Sequence, residues 1–279
     1  MWDEYPNKWQ TQDLGTDLVF EDVEGKIWAV QAKCYAFDHA TTKSDMNSFL
    51  ADTSRKGVNR RLWLQTTDKI QHTALKTLRD QDKPVTVFKL NDFRNANLDY
   101  PSSFSKLLKT EPKAKPKPKP DKHQIEAVDA VVKGFKKNHR GQMIMACGTG
   151  KTFTTLWIKE ALKANTTLVL LPSLNLLSQT MREWAWAAID DFDILNVCSD
   201  KSVGKASEDM ESFDAPFPVT SELFEISKFL KKPTKKVLFC TYQSSSLIAA
   251  AQKDLSISPF DLVIADEAHR CAGGLDSEF

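Results

Sequence analysis

The sequence predicts an α/β protein of two domains, the second built on a parallel sheet with helices on both faces. Three observations carry this. Residues 111–121 read Glu-Pro-Lys-Ala-Lys-Pro-Lys-Pro-Lys-Pro-Asp, a run that can neither fill a core nor donate a regular hydrogen-bond ladder. After it, short apolar runs alternate with amphipathic segments of helical period, the pattern of a covered parallel sheet. Before it, the order is strand, turn, strand, then helix, strand, helix, strand. The expected division is a first domain over 1–110, a linker over 111–121 and a second domain over 122–279.

In the first domain, Asp17-Leu-Val-Phe20 is a short apolar run read as a strand and residues 21–26 a polar turn carrying Gly25. Ile27-Trp-Ala-Val-Gln-Ala-Lys33 alternates as a second strand. A capped helix over 42–50, a strand over 62–66, a helix over 70–78 and a strand over 85–90 complete it. The linker favours extended polyproline-II and is read as a passive spacer; lysine contacts to DNA phosphates are its second reading. In the second domain, strands are expected over 143–145, 167–171, 194–197, 237–240 and 262–265. Helices are expected from Lys151 and over 174–186, and residues 199–233 read as a polar insertion plus a helix.

Composition sets the class. With 279 residues, 41% hydrophobic and 27% charged, the chain is of globular type, and a net charge of +1 confines any nucleic-acid surface to a local patch. The five cysteines (Cys34, Cys147, Cys198, Cys240, Cys271) form no C-x-x-C pair, which fits a reduced compartment. No apolar run reaches membrane-spanning length and no signal pattern follows Met1, so the expectation is a cytoplasmic protein with no membrane partner.

Two motifs carry the chemistry of the second domain. Ala146-Cys147-Gly148-Thr149-Gly150-Lys151-Thr152 is a phosphate-cradling loop leading into a helix. Gly148 and Gly150 let successive backbone N–H groups turn inward, with Thr149 between them, and the helix adds its positive end. Lys151 suits the β- and γ-phosphates of ATP, and the Thr152 hydroxyl suits Mg²⁺. Asp266-Glu267-Ala268-His269 follows the strand over 262–265. Asp266 there suits Mg²⁺, and Glu267 suits orienting and deprotonating the attacking water. In the first domain, Gln31 and Lys33 lie two apart on one strand face, and a hairpin at Glu24-Gly25 brings Asp17 alongside. An Asp on Mg²⁺, a second oxygen ligand and a Lys on the developing charge would hydrolyse a phosphodiester; a polar strand with a snorkelling Lys is the bland alternative.

These residues carry resemblances. Residues 122–279 resemble the first RecA-like domain of a superfamily-two, DEAH-box helicase, whose variant loop pattern accommodates the departure at Met145, where the strict pattern has Gly. His123-Gln124 resembles the glutamine motif, which implies that Gln124 recognises adenine. Leu171-Pro172-Ser173-Leu174 and Thr241-Tyr242-Gln243-Ser244 resemble motifs Ia and Ib of restriction-enzyme translocases, whose hydroxyls and amides touch the nucleic-acid backbone. His269 by the same resemblance couples the nucleotide site to the neighbouring motor domain. Gly15-Thr-Asp17, Gln31-Ala-Lys33, Thr42-Lys-Ser-Asp45 and Leu62-Trp-Leu-Gln-Thr66 resemble the Mrr-like branch of the PD-(D/E)xK nucleases.

The order of the two is similar to the start of a type ISP restriction enzyme or restriction helicase. The implied fold is a truncated restriction-endonuclease-like α/β domain followed by a RecA-like P-loop NTPase domain. The resemblance implies catalytic Asp17, Gln31, Lys33 and Glu267, cofactors ATP and Mg²⁺, a double-stranded DNA partner and a methyltransferase with target-recognition module in cis or trans. It also implies a fragment: the first nuclease helix and the second RecA-like domain, with its arginine finger, lie outside 1–279, so isolated ATPase activity is expected near background. Two alternatives stay open: a translocase whose first domain only binds DNA, and an inactive nucleotide-binding remnant.

Overall fold

The alternation of Ile27–Lys33 is realised as the second strand of a four-stranded sheet. The computed structural model describes residues 15–79, 81–107, 109–198, 219–253 and 257–268. Strand β1 (Leu18–Glu21) runs antiparallel to β2 (Ile27–Lys33), and β3 (Arg60–Gln65) and β4 (Val85–Phe88) add in parallel, in the order β1-β2-β3-β4. The hairpin closes through Asp22, whose carboxylate accepts from Glu24 N and Lys26 N, and through Gly25, whose φ of 76° only glycine adopts without strain. Helices α1 (Lys43–Asp52) and α2 (His72–Arg79) cover the sheet. Thr42 and Asp45 cap α1 reciprocally, as the quoted Thr42-Lys-Ser-Asp45 allows.

Strand β3 alternates strictly, turning Arg61, Trp63 and Gln65 inward, while β2 turns Ala29 and Gln31 inward. Ala29, Met46, Phe49, Trp63, Ala74 and Val87 make the apolar core. The strand expected over 85–90 stops at Phe88, because helix α3 (Leu90–Arg94) starts there with Asp92 accepting from Lys89 N.

Contacts divide the chain into two compact units, with the second opening at Asn97. Strand β5 (Leu98–Asp99) and helix α4 (Phe104–Leu107) come first, and β6 (Lys113–Ala114) pairs with β5. Part of the Lys/Pro run, Lys113–Ala114, is thus paired in a strand of the second unit, while most of the run is exposed. Helix α5 (Lys122–Phe135) follows, capped by Asp121 and Gln124.

Then come α6 (Lys151–Leu162), β7 (Thr166–Leu171), α7 (Leu174–Ala187), β8 (Asp193–Val197), α8 (Leu223–Leu230), β9 (Lys236–Thr241), α9 (Ser245–Ala251) and β10 (Leu262–Ala265). The four strands are all parallel in the order β10-β7-β9-β8. Every residue of β9 is buried, as an interior strand covered on both faces requires.

The strand expected over 143–145 does not form. Met143, Ile144 and Met145 line a cavity of 870 Å³ together with Leu262, Val263, Ile264 and Ala265. Strand β10 is at the sheet edge, with Val263 53% exposed, and the apolar run lies beside it without pairing, Met143 packing against the cluster that holds Leu262.

The other end of β10 is pinned by Asp261, whose carboxylate accepts from Asn165 N, Thr166 N and the Thr166 hydroxyl. Those bonds, from Thr166 first, hold the carboxyl below its ordinary 3.8. A depressed carboxylate stabilises the fold above its unfolded value, and that contribution is lost as pH falls through the folded one. Asp261→Asn is therefore expected to lower the melting temperature at pH 7, by an amount that shrinks as pH is taken progressively below 3.8; an offset that does not change with pH would refute this.

Candidate functional site

The first unit brings together two of the three residues the sequence singled out. Leu18 pairs with Val30 across the hairpin, and Asp17 N donates to Val30 O at 2.8 Å. One Asp17 carboxylate oxygen then accepts from Ala32 N at 2.6 Å and from Gln31 Nε2. Lys33 is half-buried two residues along β2, on the same strand face as Gln31.

Gln31 is 2% exposed, and its Oε1 is buried with no hydrogen-bond partner. The other inward polar groups contrast with it. Gln65 Oε1 accepts from Trp63 Nε1 and the Thr41 hydroxyl, and Gln65 Nε2 donates to Thr67 O. A buried acceptor left unpaired costs about 1–3 kcal/mol, so its retention beside a carboxylate fits a site that takes a hard cation. Asp17 and Gln31 supply oxygen donors of the kind Mg²⁺ takes. Clusters of three or more His, Cys, Asp or Glu that could hold a metal ion are absent among the described residues.

In the second unit, the two ATP motifs converge. Gly148 and Gly150 take φ of 77° and 76°, and Gly150 is the N-cap of α6. Between them the Thr149 hydroxyl donates to Ala146 O at 2.7 Å, which closes the loop. Lys151 Nζ lies 3.8 Å from Glu267 Oε1, and both line the 870 Å³ cavity with Thr152 and Asp266. Asp266 ends β10, with its N–H on Leu170 O, and Glu267 N donates to Asp266 Oδ1 at 3.0 Å. Glu267 has φ of 51°, a left-handed conformation that costs a non-glycine residue energy and so recurs at working positions. His269 lies outside the described residues.

Gln124 uses its amide differently from the adenine-reading role expected of it. It is 6% exposed, its Oε1 accepts from Asp121 N at 2.8 Å, and its Nε2 donates to Thr149 O at 3.0 Å. His123 Nε2 lies 3.2 Å from the same carbonyl. Here Gln124 braces the phosphate loop against α5. The hydroxyls of Thr241 and Ser244, expected on a nucleic-acid surface, are buried and bonded to each other at 3.0 Å; Thr241 ends the interior strand β9, which draws both inward. Gln243 alone of that quartet is exposed. Ser173 serves as the N-cap of α7.

Sequence reasoning missed two supports. Tyr242 is 8% exposed and donates its hydroxyl to Asp266 O at 2.6 Å, tying the turn after β9 to the acidic motif. Trp184, fully buried on α7, donates Nε1 to Thr152 O at 2.9 Å. The signal was available for Trp184, since a buried indole requires an acceptor.

Comparison with known proteins finds family matches in both parts of the chain. Residues 1–109 match a family described as restriction endonuclease, and residues 117–277 match the family described as type III restriction enzyme, res subunit. A solved structure titled "ATP-dependent Type ISP restriction-modification enzyme LlaBIII bound to DNA" superposes with a TM-score of 0.83 at 32% identity, over 99% of this chain and 18% of that one. A nuclease-deletion mutant of the type ISP enzyme LlaGI, in complex with a DNA substrate mimic, gives a TM-score of 0.45 at 40% identity, over 55% of this chain and 15% of that one. Probable helicase A859L of African swine fever virus (isolate Tick/Malawi/Lil 20-1/1983) is 28% identical over 151 residues, 54% of this chain and 16% of that protein. The chain thus spans less than a fifth of these relatives' lengths. No helix among the described residues is long and apolar enough to cross a membrane. With more than half of its length matched, the chain belongs to the type III restriction enzyme res-subunit family, and it carries a restriction-endonuclease domain ahead of the helicase-like one.

Proposed function

We propose that this chain is the front part of an ATP-driven motor on double-stranded DNA whose first unit cleaves that DNA with Mg²⁺. The observation that carries the reading is the approach of Lys151 to Glu267 across a cavity shared with Thr152 and Asp266. Lys151 would hold the β- and γ-phosphate oxygens, the N–H groups of residues 148–152 would cradle them, and Glu267 would orient the attacking water and accept its proton. Thr152 and Asp266 would hold Mg²⁺, which when bound neutralises the developing phosphate charge.

In the first unit Asp17 and Gln31 would hold the second Mg²⁺ and Lys33 would steady the charge building on the scissile phosphate. The convergence of Asp17 and Gln31 supports a catalytic unit over one that only binds DNA. Turnover of ATP by residues 1–279 is expected near background, since in the family a second motor domain brings an arginine to the phosphates. A methyltransferase and target-recognition module, in cis or in trans, belongs to the same proposal, as does work in the cytoplasm.

The test reads binding. Cys147 is exposed in the phosphate loop, and Cys34 is exposed in the first unit. Alkylation mapped by mass spectrometry is expected to slow at least ~10-fold at Cys147 with saturating Mg²⁺ and a non-hydrolysable ATP analogue, as occupancy at about ten times Kd requires, and to be unchanged at Cys34. Lys151→Ala should abolish the protection. Equal rates at Cys147 with and without nucleotide would remove the ATP assignment.

A further inference from the structure

Residues 111–121 carry Pro112, Pro116, Pro118 and Pro120, whose rings fix φ and whose nitrogens donate nothing. Such a segment offers carbonyls, ring faces, lysine side chains and the few N–H groups between its prolines, of which Lys115 N donates to Asn97 O at 2.9 Å. The second unit also grips it by a carbonyl and by a lysine. Trp186 Nε1 donates to Lys115 O at 3.1 Å, and Lys117 Nζ donates to Ala188 O. Ala188 is the C-cap of α7, so the ammonium also meets the negative end of the helix dipole.

Trp186 is part of an aromatic platform. Phe153 lies edge-on to it with ring centroids 6.0 Å apart and stacks on Trp157 at 6.1 Å. All three rings are half-buried, as is Pro118, whereas Pro116 and Pro120 are exposed. An indole N–H on the carbonyl of a proline-rich segment, beside further aromatic rings, is how polyproline-II ligands are recognised.

We propose that the second unit carries a polyproline-II binding site, formed by Trp186, Phe153, Trp157 and the Ala188 carbonyl, whose resident ligand is the chain's own residues 115–118. The ligand class is an extended, proline-rich, basic peptide. A tethered copy is present at an effective concentration of about millimolar, so the intact chain saturates its own site. The site lies where the motor unit is framed: Phe153 follows Thr152 on α6, and Trp184, two residues before Trp186 on α7, holds the Thr152 carbonyl. The segment is thus fastened to the two helices beside the phosphate loop. Docking itself requires no nucleotide, and neither does its test.

The experiment uses the full chain labelled with 5-fluorotryptophan, in which the Trp186 resonance is identified by its loss in Trp186→Phe. In the variant Lys115→Gly, Pro116→Ser, Lys117→Gly, Pro118→Ser the Trp186 resonance is expected to move while that of buried Trp184 stays. A free peptide of residues 111–121 should return it to the native position, and the same peptide with alanine for every proline should bind at least ~10-fold more weakly. The unaltered chain should not respond to either peptide. The proposal is overturned if the Trp186 resonance ignores the replacement, or if both peptides bind equally, which would mean attraction of charge alone. Should Trp184 also shift, the milder Pro116→Ala, Pro118→Ala pair decides by the same two criteria.

Discussion

Replacing Arg61 by methionine is expected to lower the unfolding free energy of the first unit by about 3–5 kcal/mol, from a total that for such a domain is roughly 5–15 kcal/mol. Arg61 is 2% exposed at the start of β3, pointing into the layer between sheet and helices. Its Nε donates to the Thr53 hydroxyl at 2.7 Å, Nη1 to Gln81 Oε1 at 2.9 Å, and Nη2 to Leu50 O at 3.3 Å. Leu50 and Thr53 lie at the end of α1, whose last carbonyls have no helical partner. Lys83 Nζ joins them by donating to Thr53 O at 3.1 Å and Ser54 O at 3.0 Å.

The cation thus sits on the negative end of a helix dipole and satisfies several acceptors at once. Burial pulls the guanidinium below its ordinary value and Asp82 opposes the shift. Methionine matches the stem but donates nothing. The Thr53 hydroxyl and Gln81 Oε1 lose their donor at about 1–3 kcal/mol each, while Leu50 O keeps the Ser54 hydroxyl at 2.7 Å, and the two lost bonds account for the expected loss. Arg61→Lys keeps the charge without the planar fork and should fall between. Hydrogen exchange of the β3 amides in urea reads this unit alone; a loss under about 1 kcal/mol would mean that water reaches these carbonyls.

Arg61 also marks where sequence reasoning ran out. Leu62-Trp-Leu-Gln-Thr66 reads as a strand, yet the charge before it and the amide within it suggest solvent, whereas the strand begins at Arg60 and Arg61 and Gln65 face inward with Trp63. Only tertiary partners, the end of α1 for one and Thr41 with Thr67 for the other, make that burial tolerable. The parallel sheet of the second unit was legible because β7, β9 and β10 are apolar runs fixed by local pattern. The run at 143–145 has the same local pattern and still forms no strand, since pairing needs a neighbour and local composition does not supply one. At the candidate nucleotide site, the glycines, Lys151 and the acidic pair stand out in the sequence because a phosphate loop and its acidic partner ask for those residue types. The brace made by Gln124 and the Tyr242 bond to a main-chain carbonyl do not, because a carbonyl partner leaves no trace in the sequence, and for Trp184 the sequence shows only that an acceptor is needed, not which one.

Gln31→Glu is expected to make the stability of the first unit depend on Mg²⁺. In the native chain the Gln31 amide donates to Asp17, so one carboxylate and one carboxamide share the end of the hairpin. Glutamate has no donor, and Ala32 N would remain to serve two abutting carboxylates. Two such groups cannot both ionise without compensation. In EDTA the variant should therefore unfold below the native chain, by roughly 4–8 °C for each kcal/mol lost in a domain of this size.

A divalent cation removes that repulsion, because both oxygens become ligands of one positive charge. Added Mg²⁺ should raise the variant's melting temperature further than the native chain's, by about 1.4 kcal/mol for each tenfold excess over its Kd. Asp17→Asn in the same background returns the pair to one carboxylate and one carboxamide, so it should relieve the loss in EDTA and bring the response to Mg²⁺ back toward the native chain's. On plasmid DNA, Asp17→Asn should cut cleavage by at least ~100-fold, the order that loss of a metal-held charge contributes, whereas Gln31→Glu retains it. The discriminating outcome is thermal rather than catalytic. If Gln31→Glu melts like the native chain in EDTA and gains nothing from Mg²⁺, the orphaned Gln31 oxygen is not a cation ligand, and Asp17 and Gln31 make a hairpin clasp rather than a nuclease site.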